Sequence, residues 1–259
     1  MPRPATEIPA PAFPPRMPWV NVAPLRMDKQ RGRPVLVEFF DVFRPNSLRT
    51  LPYIRAWHER YAQDGLRVIS VHTPGFEPGR DEDLVRAELE RLGVEHPVCL
   101  DSEMQVWDLY GNQGWPSRYL FGGDQTLAFA HFGEGGYAET ERVIQELLGV
   151  ERELVPPVRP EDDPDALIVV PTEDQPGAYS GPYEAGAVWA VLTGSGELVV
   201  DGRRVTVDRP GAHLLVEHPR SVAAVLELEV GPGLECLATC FSPGLAPEGA
   251  LPQPGGAAS

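Results

Sequence analysis

Between Pro34 and Asp41 the chain runs Val35-Leu36-Val37-Glu38-Phe39-Phe40, an apolar segment carrying one carboxylate, as expected of a strand buried on both faces. From Leu48 to about Ala62 the period changes. Leu51, Ile54, Trp57, His58 and Tyr61 recur at helical spacing, which predicts an amphipathic helix, with Pro52 kinking it. Leu66 to His72 reads as a second apolar strand, and Arg80 to Leu92 as a charged helix stopped by Gly93. His96 to Leu100 predicts a short strand and Glu103 to Tyr110 a short helix. Tyr119–Phe121 and Leu127–Phe132 read as two strands around Gly122-Gly123-Asp124, and Ala138–Leu148 as an amphipathic helix before Gly149. Strands alternating with helices and closing on a strand pair describe an α/β domain over residues 19–149.

Beyond it the helical period disappears. Residues 150–165 are rich in proline and acid and read as a linker. Over 166–245 come short β-type runs: Val188–Leu192, Gly196–Val200, Arg203–Val207, His213–Val216, Val222–Val230 and Leu234–Phe241. Turn residues separate them, Asp201-Gly202 most clearly, and a spacing of roughly 8–12 residues predicts a small all-β sandwich or barrel. Residues 1–18 are proline-rich and expected to be extended, and 246–259, rich in proline, glycine and alanine, to form a flexible tail.

Charge narrows the partners. Lys plus Arg number 22 against 38 Asp plus Glu, a formal net charge of −16, which argues against an unaided grip on nucleic acid or an anionic membrane. No run approaches the ~18 apolar residues of a membrane span, and the N-terminus lacks the apolar segment of a signal peptide. Three cysteines, Cys99, Cys236 and Cys240, make no disulfide framework, so the expected setting is cytoplasmic.

Taken in order, the features of residues 19–149 resemble the thioredoxin superfamily, in particular its TlpA-like branch and the thioredoxin-containing region of DipZ-type proteins. The residues concerned are the strand Val35–Phe40, Pro52 lying five positions after Ser47, and Leu48-Arg49-Thr50-Leu51-Pro52-Tyr53-Ile54-Arg55-Ala56-Trp57. Val71-His72-Thr73-Pro74, Gly111-Asn112-Gln113-Gly114-Trp115-Pro116 and His131-Phe132-Gly133-Glu134-Gly135 extend the likeness. The resemblance implies a thioredoxin-like fold, a redox CxxC before the first long helix, and a facing cis-proline loop at Trp115-Pro116 that pairs with an extended peptide. Where the family carries CxxC this chain reads Arg44-Pro45-Asn46-Ser47. Thiol–disulfide exchange needs an activated thiolate and a resolving thiol, and neither arginine nor serine supplies one.

The expectation is therefore a non-catalytic binding or scaffold protein, its site Arg44, Pro45, Asn46, Ser47, Trp115 and Pro116, with no catalytic residue, cofactor or metal. Ser47 reads as a helix cap. Arg44 with the first-turn amides could hold a small anion. An extended peptide or protein is the expected partner. A redoxin acting through Cys99, the one thiol of the first domain, is the enzymatic alternative, although Cys99 in Pro97-Val98-Cys99-Leu100 reads as core.

Cys236 and Cys240, four apart on one strand, should share a face about 13 Å apart, too far for a disulfide. The six histidines show no metal-binding spacing, and His213 and His218 precede a turn expected at Pro219. Residues 166–245 weakly resemble the β-domain appended to DipZ-type proteins, on Val199-Val200-Asp201-Gly202, Leu226-Glu227-Leu228 and Gly231-Pro232-Gly233-Leu234-Glu235. The resemblance implies a carbohydrate-binding module. Tyr179, Tyr183 and Trp189 are the residues that could form its aromatic platform, with Trp189 expected in the core.

Overall fold

A two-residue strand, β1 (Trp19–Val20), precedes β2 (Val35–Phe40), whose six residues are all buried. In the computed structural model, which describes residues 8–249, the chain then alternates through α1 (Pro45–Tyr61), β3 (Arg67–His72), α2 (Glu82–Arg91), β4 (Val98–Leu100) and α3 (Gln105–Tyr110). It closes with β5 (Ser117–Phe121), β6 (Leu127–Phe132) and α4 (Tyr137–Leu148). These strands form one mixed sheet, ordered β1-β4-β3-β2-β5-β6, with β2, β3 and β4 parallel and β5 and β6 antiparallel.

Because side chains alternate along a strand, β2 feeds two cores. Val35, Val37 and Phe39 join Ile69, Val71, Cys99 and Tyr119, with α3 residues Trp107 and Tyr110 and the N-terminal residues Phe13 and Met17. Leu36, Val68 and Leu120 face the opposite way, under Ile54, Trp57 and Tyr61 of α1 and Ile144 of α4.

Several expectations shift. α1 starts at Pro45 rather than Leu48, since proline at the first helical position gives up a donor that would go unpaired and holds φ near its helical value. β4 begins at Val98 rather than His96, because Pro97 has no N–H for the ladder and the carbonyl of His96 accepts Asn21 Nδ2 at 3.0 Å. The N-terminal segment is docked from residue 8. Leu127 N–H donates to the Ile8 carbonyl (2.8 Å), Ala10 N–H to that of Gln125 (2.9 Å), and Met17 is buried. Residues 1–7 lie outside the described residues.

The chain divides after Val158, within the segment expected to be a linker. Val150 and Val155 pack on the α1/α4 core, Val155 N–H donates to Glu141 Oε2 (2.8 Å), and Val158 N–H to the Tyr53 hydroxyl (2.7 Å). The first nine residues of the expected linker are thus part of the first unit, anchored by two valines that the surrounding prolines and acids hide from composition.

The second unit, from Arg159, is made of strands. They are β7 (Ile168–Val169), β8 (Gln175–Pro176), β9 (Gly181–Gly194), β10 (Gly196–Val200), β11 (Arg203–Val207), β12 (Gly211–Leu226), β13 (Leu228–Val230), β14 (Leu234–Ser242) and β15 (Gly244–Leu245). A four-stranded sheet, β12-β9-β14-β8, and a three-stranded one, β11-β10-β13, contribute to one core, and β15 pairs with β7. Ala190, Leu192, Leu226 and Phe241 come from the first sheet, and Leu198, Val200, Val207 and Leu228 from the second.

The turn expected at Pro219 is absent. The chain stays in β12, and the register against β9 skips between Glu217 and Val222. β12 is an edge strand, where a residue without an N–H is tolerated at an irregularity. A second skip, between Cys236 and Ala238, corrects the cysteine geometry: Cys236 pairs with Leu192 and Cys240 with Trp189, positions of opposite parity on β9, so the two thiols do not share a face. Of the expected tail, Ala246 is tied down, its N–H donating to the Leu167 carbonyl at 2.7 Å, and residues 250–259 lie outside the described residues.

Candidate functional site

Asp41, buried just past the end of β2, organises the loops at that edge of the sheet. Its Oδ1 accepts the Phe43 N–H (2.9 Å) and its Oδ2 the Gly75 N–H (2.8 Å), while its own N–H donates to Ser47 Oγ at 3.3 Å. His72 Nε2 lies 3.4 Å from Oδ1. One side chain therefore ties the end of β2, the start of α1 and the loop after β3.

The cap position of α1 is taken by Arg44, in extended conformation (φ −105°, ψ 122°), and not by Ser47. Ser47 sits three residues into the helix with its hydroxyl turned back to the Asp41 amide, so its expected capping role is replaced by a link between α1 and β2. The Arg44 guanidinium carbon lies 4.4 Å from the Trp115 ring centre and 4.9 Å from that of Phe76. A Cβ on Gly75 would run into the Arg44 guanidinium, so a side chain at this position would displace it from where it rests.

Asn46 works in two directions. Its Oδ1 accepts the Ser47 N–H (2.9 Å) and its Nδ2 donates to the Trp115 carbonyl (2.7 Å). Pro45 has no N–H and Ser47 has used its own. Two of the first three amide positions of α1 thus offer nothing to an anion, which leaves the guanidinium as the main anion-binding group here.

Opposite lies the segment 111–116. The Trp115–Pro116 peptide is cis. Trp115 Nε1 donates to the Thr73 carbonyl (2.9 Å), and its ring packs on Trp107 with centroids 4.2 Å apart. Buried Asn112 shapes the loop, accepting Ser117 Oγ (2.7 Å) and the Tyr119 hydroxyl (2.8 Å) on Oδ1 and donating Nδ2 to the Gly114 carbonyl (3.1 Å). The structure thus brings Arg44, Asn46 and Trp115 into direct contact, with Pro45, Ser47 and Pro116 buried beside them. Phe76, Trp107, Gly75 and Asp41 complete the site and were not singled out from the sequence, since nothing local marks a loop residue that a distant strand end will hold.

No family model matches the chain. Protein DipZ of Mycobacterium bovis is 33% identical over 133 residues, which is 50% of this chain but only 19% of that relative. Thiol-disulfide oxidoreductase YkuV of Bacillus subtilis is 26% identical over 118 residues, 46% of this chain and 78% of it. The crystal structure of a thioredoxin-like superfamily protein, SPOA0173, superimposes with a TM-score of 0.51 at 22% identity, covering 56% of this chain and 99% of that one. The first unit has a thioredoxin-like fold and is similar in sequence to the thioredoxin-like redoxins.

Beneath α1 the thioredoxin-like unit carries a buried polar row across its sheet. Glu38 is opposite Arg118 on β5 and Ser70 on β3. Ser70 Oγ donates to Glu38 Oε2 (2.7 Å) and lies 2.8 Å from His96 Nε2. Arg118 gives Nη2 to the Gly135 carbonyl and faces the Tyr137 ring at 5.1 Å, while its Nε and Nη1, and Glu38 Oε1, have no hydrogen-bond partner. Loss of solvent pushes the Glu38 carboxyl up to about 8 and the His96 imidazole down to about 3. At neutral pH both are mainly uncharged. The signal for this row was a lone carboxylate inside an apolar strand.

The thiols lie elsewhere. Cys99 is fully buried in the α3-side core of the thioredoxin-like unit, and burial raises its pKa, the opposite of what activates a nucleophile. Cys236 and Cys240 belong to the second unit and, like Cys99, are free. Among the described residues no group of acid, histidine and cysteine side chains could hold a metal, and no helix is long and apolar enough to cross a membrane. In the second unit Tyr183 is inside the core, stacked on Phe241 at 5.6 Å, and Tyr179 packs against it. Trp189, expected in the core, is only half-buried and directly opposite Cys240.

Proposed function

We propose that the thioredoxin-like unit is a non-catalytic binding module, with residues 44–47 standing where redoxins carry their cysteine pair. The observation that carries this reading is the make-up of the site itself. Arg44, Pro45, Asn46 and Ser47 are built into the fold by specific contacts, no thiol is among them, and the unit's one cysteine is sealed in the core. An extended peptide or protein segment running past Trp115–Pro116 is the proposed ligand, with Arg44 offering a place for an anion. A backbone pairing mode of that kind asks nothing of cysteine.

The second unit is read as a β-sandwich, its two larger sheets sharing one core. Packing of Tyr179 and Tyr183 on and in that core favours a packing or dimerising module over an aromatic sugar platform. Three free thiols fit a cytoplasmic setting.

Dithiothreitol-driven insulin reduction tests the reading, comparing wild type with Arg44→Cys/Ser47→Cys and with Cys99→Ser, each first checked for cooperative unfolding. The expected result is a silent wild type and an active double variant. Wild-type turnover that is lost with Cys99→Ser overturns it and makes the chain a single-cysteine redoxin.

A further inference from the structure

In a chain with 38 acidic residues against 22 lysines and arginines, several guanidiniums hold a carboxylate. Arg49 holds Glu134 at 2.9 Å, Arg152 holds Asp64 at 2.7 Å and Arg159 holds Asp162 at 2.9 Å. Arg44 holds none. The nearby Asp41 carboxylate is spent on the Phe43 and Gly75 amides, and Glu134 is taken by Arg49. Arg44 Nε is buried without a partner among the described residues, Nε and Nη2 lie beside Gly75, and the guanidinium carbon sits over the Trp115 and Phe76 rings. What is left is the Nη edge, a rigid two-pronged donor whose shape matches a carboxylate and whose ordering cost has already been met by the aromatic packing.

The neighbouring Trp115 carbonyl, which an incoming strand would use as an acceptor, is occupied by Asn46 Nδ2. The Trp115 N–H has no such partner. Backbone pairing at this loop is therefore weakened on the carbonyl side, where Asn46 already takes one of two lone pairs, and a ligand side chain adds affinity and register. Beside Arg44 the half-buried Trp107–Trp115 pair offers an apolar surface to an adjoining residue.

We infer that the ligand is an extended peptide that places a carboxylate, from an Asp or Glu side chain or from its own C-terminus, on the Nη edge of Arg44, with an apolar residue next to it on Trp107 and Trp115. This rests on the peptide-binding reading above and adds the ligand's chemical class. The chain's overall negative charge does not forbid it, because at physiological ionic strength exposed charges are screened beyond about 8 Å.

The test is selection of a random 12-residue bead-displayed peptide library on the full chain at physiological salt, with one arm amidated and one bearing free C-termini. Enriched peptides are then measured by fluorescence polarisation. The expected result is Asp or Glu at a fixed offset from an apolar residue in the amidated arm, or a terminal preference confined to the free arm, which identifies the carboxylate's source. Replacing that acid by its amide should weaken binding about tenfold or more. Arg44→Gln should bind acid and amide peptides equally, Arg44→Lys should keep only part of the preference, and Asn46→Ala should bind more tightly. Both Arg44 variants must unfold at the wild-type midpoint. Enrichment without acidic bias, unaffected by Arg44→Gln, overturns the carboxylate inference and leaves peptide binding standing. No enrichment in either arm overturns the peptide-binding reading itself.

Discussion

The two faces of the thioredoxin-like sheet use the same strands to opposite ends. On the α3 side, Val35, Val37, Phe39, Ile69, Val71 and Cys99 make a wholly apolar layer. On the α1 side the alternate positions begin in the same way, with Leu36, Val68 and Leu120, and then switch to Glu38, Ser70 and Arg118 toward the end where Arg44 and Trp115 lie. One residue of offset along a strand thus separates a layer that stabilises by exclusion of water from one that buries ionisable groups, whose desolvation hydrogen bonds only partly offset. Stability should reside on the first face, and its pH dependence on the second.

The largest effect expected from this contrast is at Phe39. It is fully buried and touches Trp107, Tyr110 and Tyr119 edge-on, with centroids 6.0, 5.1 and 5.8 Å away. Phe39→Ala should lower the unfolding free energy by about 3–5 kcal/mol. Glu38→Gln, one position away in a site equally closed to water, should cost far less, since it exchanges a carboxyl that is already mainly neutral for an isosteric amide. Denaturant midpoints of the two variants check this, and comparable losses would dissolve the distinction between the faces.

The next effect is the slope with pH. Glu38 titrates near its ordinary 4.5 in the unfolded chain and about 8 in the fold, so between these values the native state keeps a proton that the unfolded chain has released. Its contribution is complete below 4.5 and is lost as pH rises toward 8, at about 1 kcal/mol per pH unit. His96 does the reverse. With its pKa depressed from 6.5 to about 3, its contribution is complete above 6.5 and is lost as pH falls toward 3. The two slopes oppose each other from 4.5 to 6.5, and between 6.5 and 8 Glu38 acts alone. Urea midpoints taken from pH 6.5 to 8 should fall for wild type and hold nearly level for Glu38→Gln, and parallel curves would place the pH dependence elsewhere.

How much of this was legible beforehand depended on whether the decisive contact was local. The β2 strand and the exchange from a period of two to one of 3.6 at α1 are local, and so is the Asp201–Gly202 turn, which set Gly196–Val200 and Arg203–Val207 to the residue. Ser47 reads as a cap from the sequence because its actual partner, the Asp41 amide, lies outside α1. The length of β12 was hidden by Pro219, a residue that ordinarily ends strands and here sits at a register skip on an edge. Arg44, Asn46 and Trp115 are placed together by resemblance, but Phe76 can be joined to them only by knowing where Asp41 pulls the Gly75 loop, and Trp107 only by knowing where Asp101 holds the start of α3.

The smallest effect expected, and the sharpest probe of the sealed face, is at Cys99. Its side chain fills the apolar layer beside Val71, with which it is in register on the neighbouring strand. Cys99→Ala removes a single buried sulfur and should cost on the order of 1 kcal/mol. Reactivity should be the mirror of that modest role. A buried thiol with a raised pKa waits for the strand to open, so native-state labelling should proceed no faster than the protein unfolds, whatever the reagent concentration. To isolate this thiol, the measurement uses Cys236→Ser/Cys240→Ser with Ellman's reagent, followed with and without denaturant. Rapid labelling in the native state, rising in proportion to reagent, would mean that the α3 face opens locally. The apolar layer would then not be the stable half of the sheet, and the one thiol of the unit would return as a chemical participant.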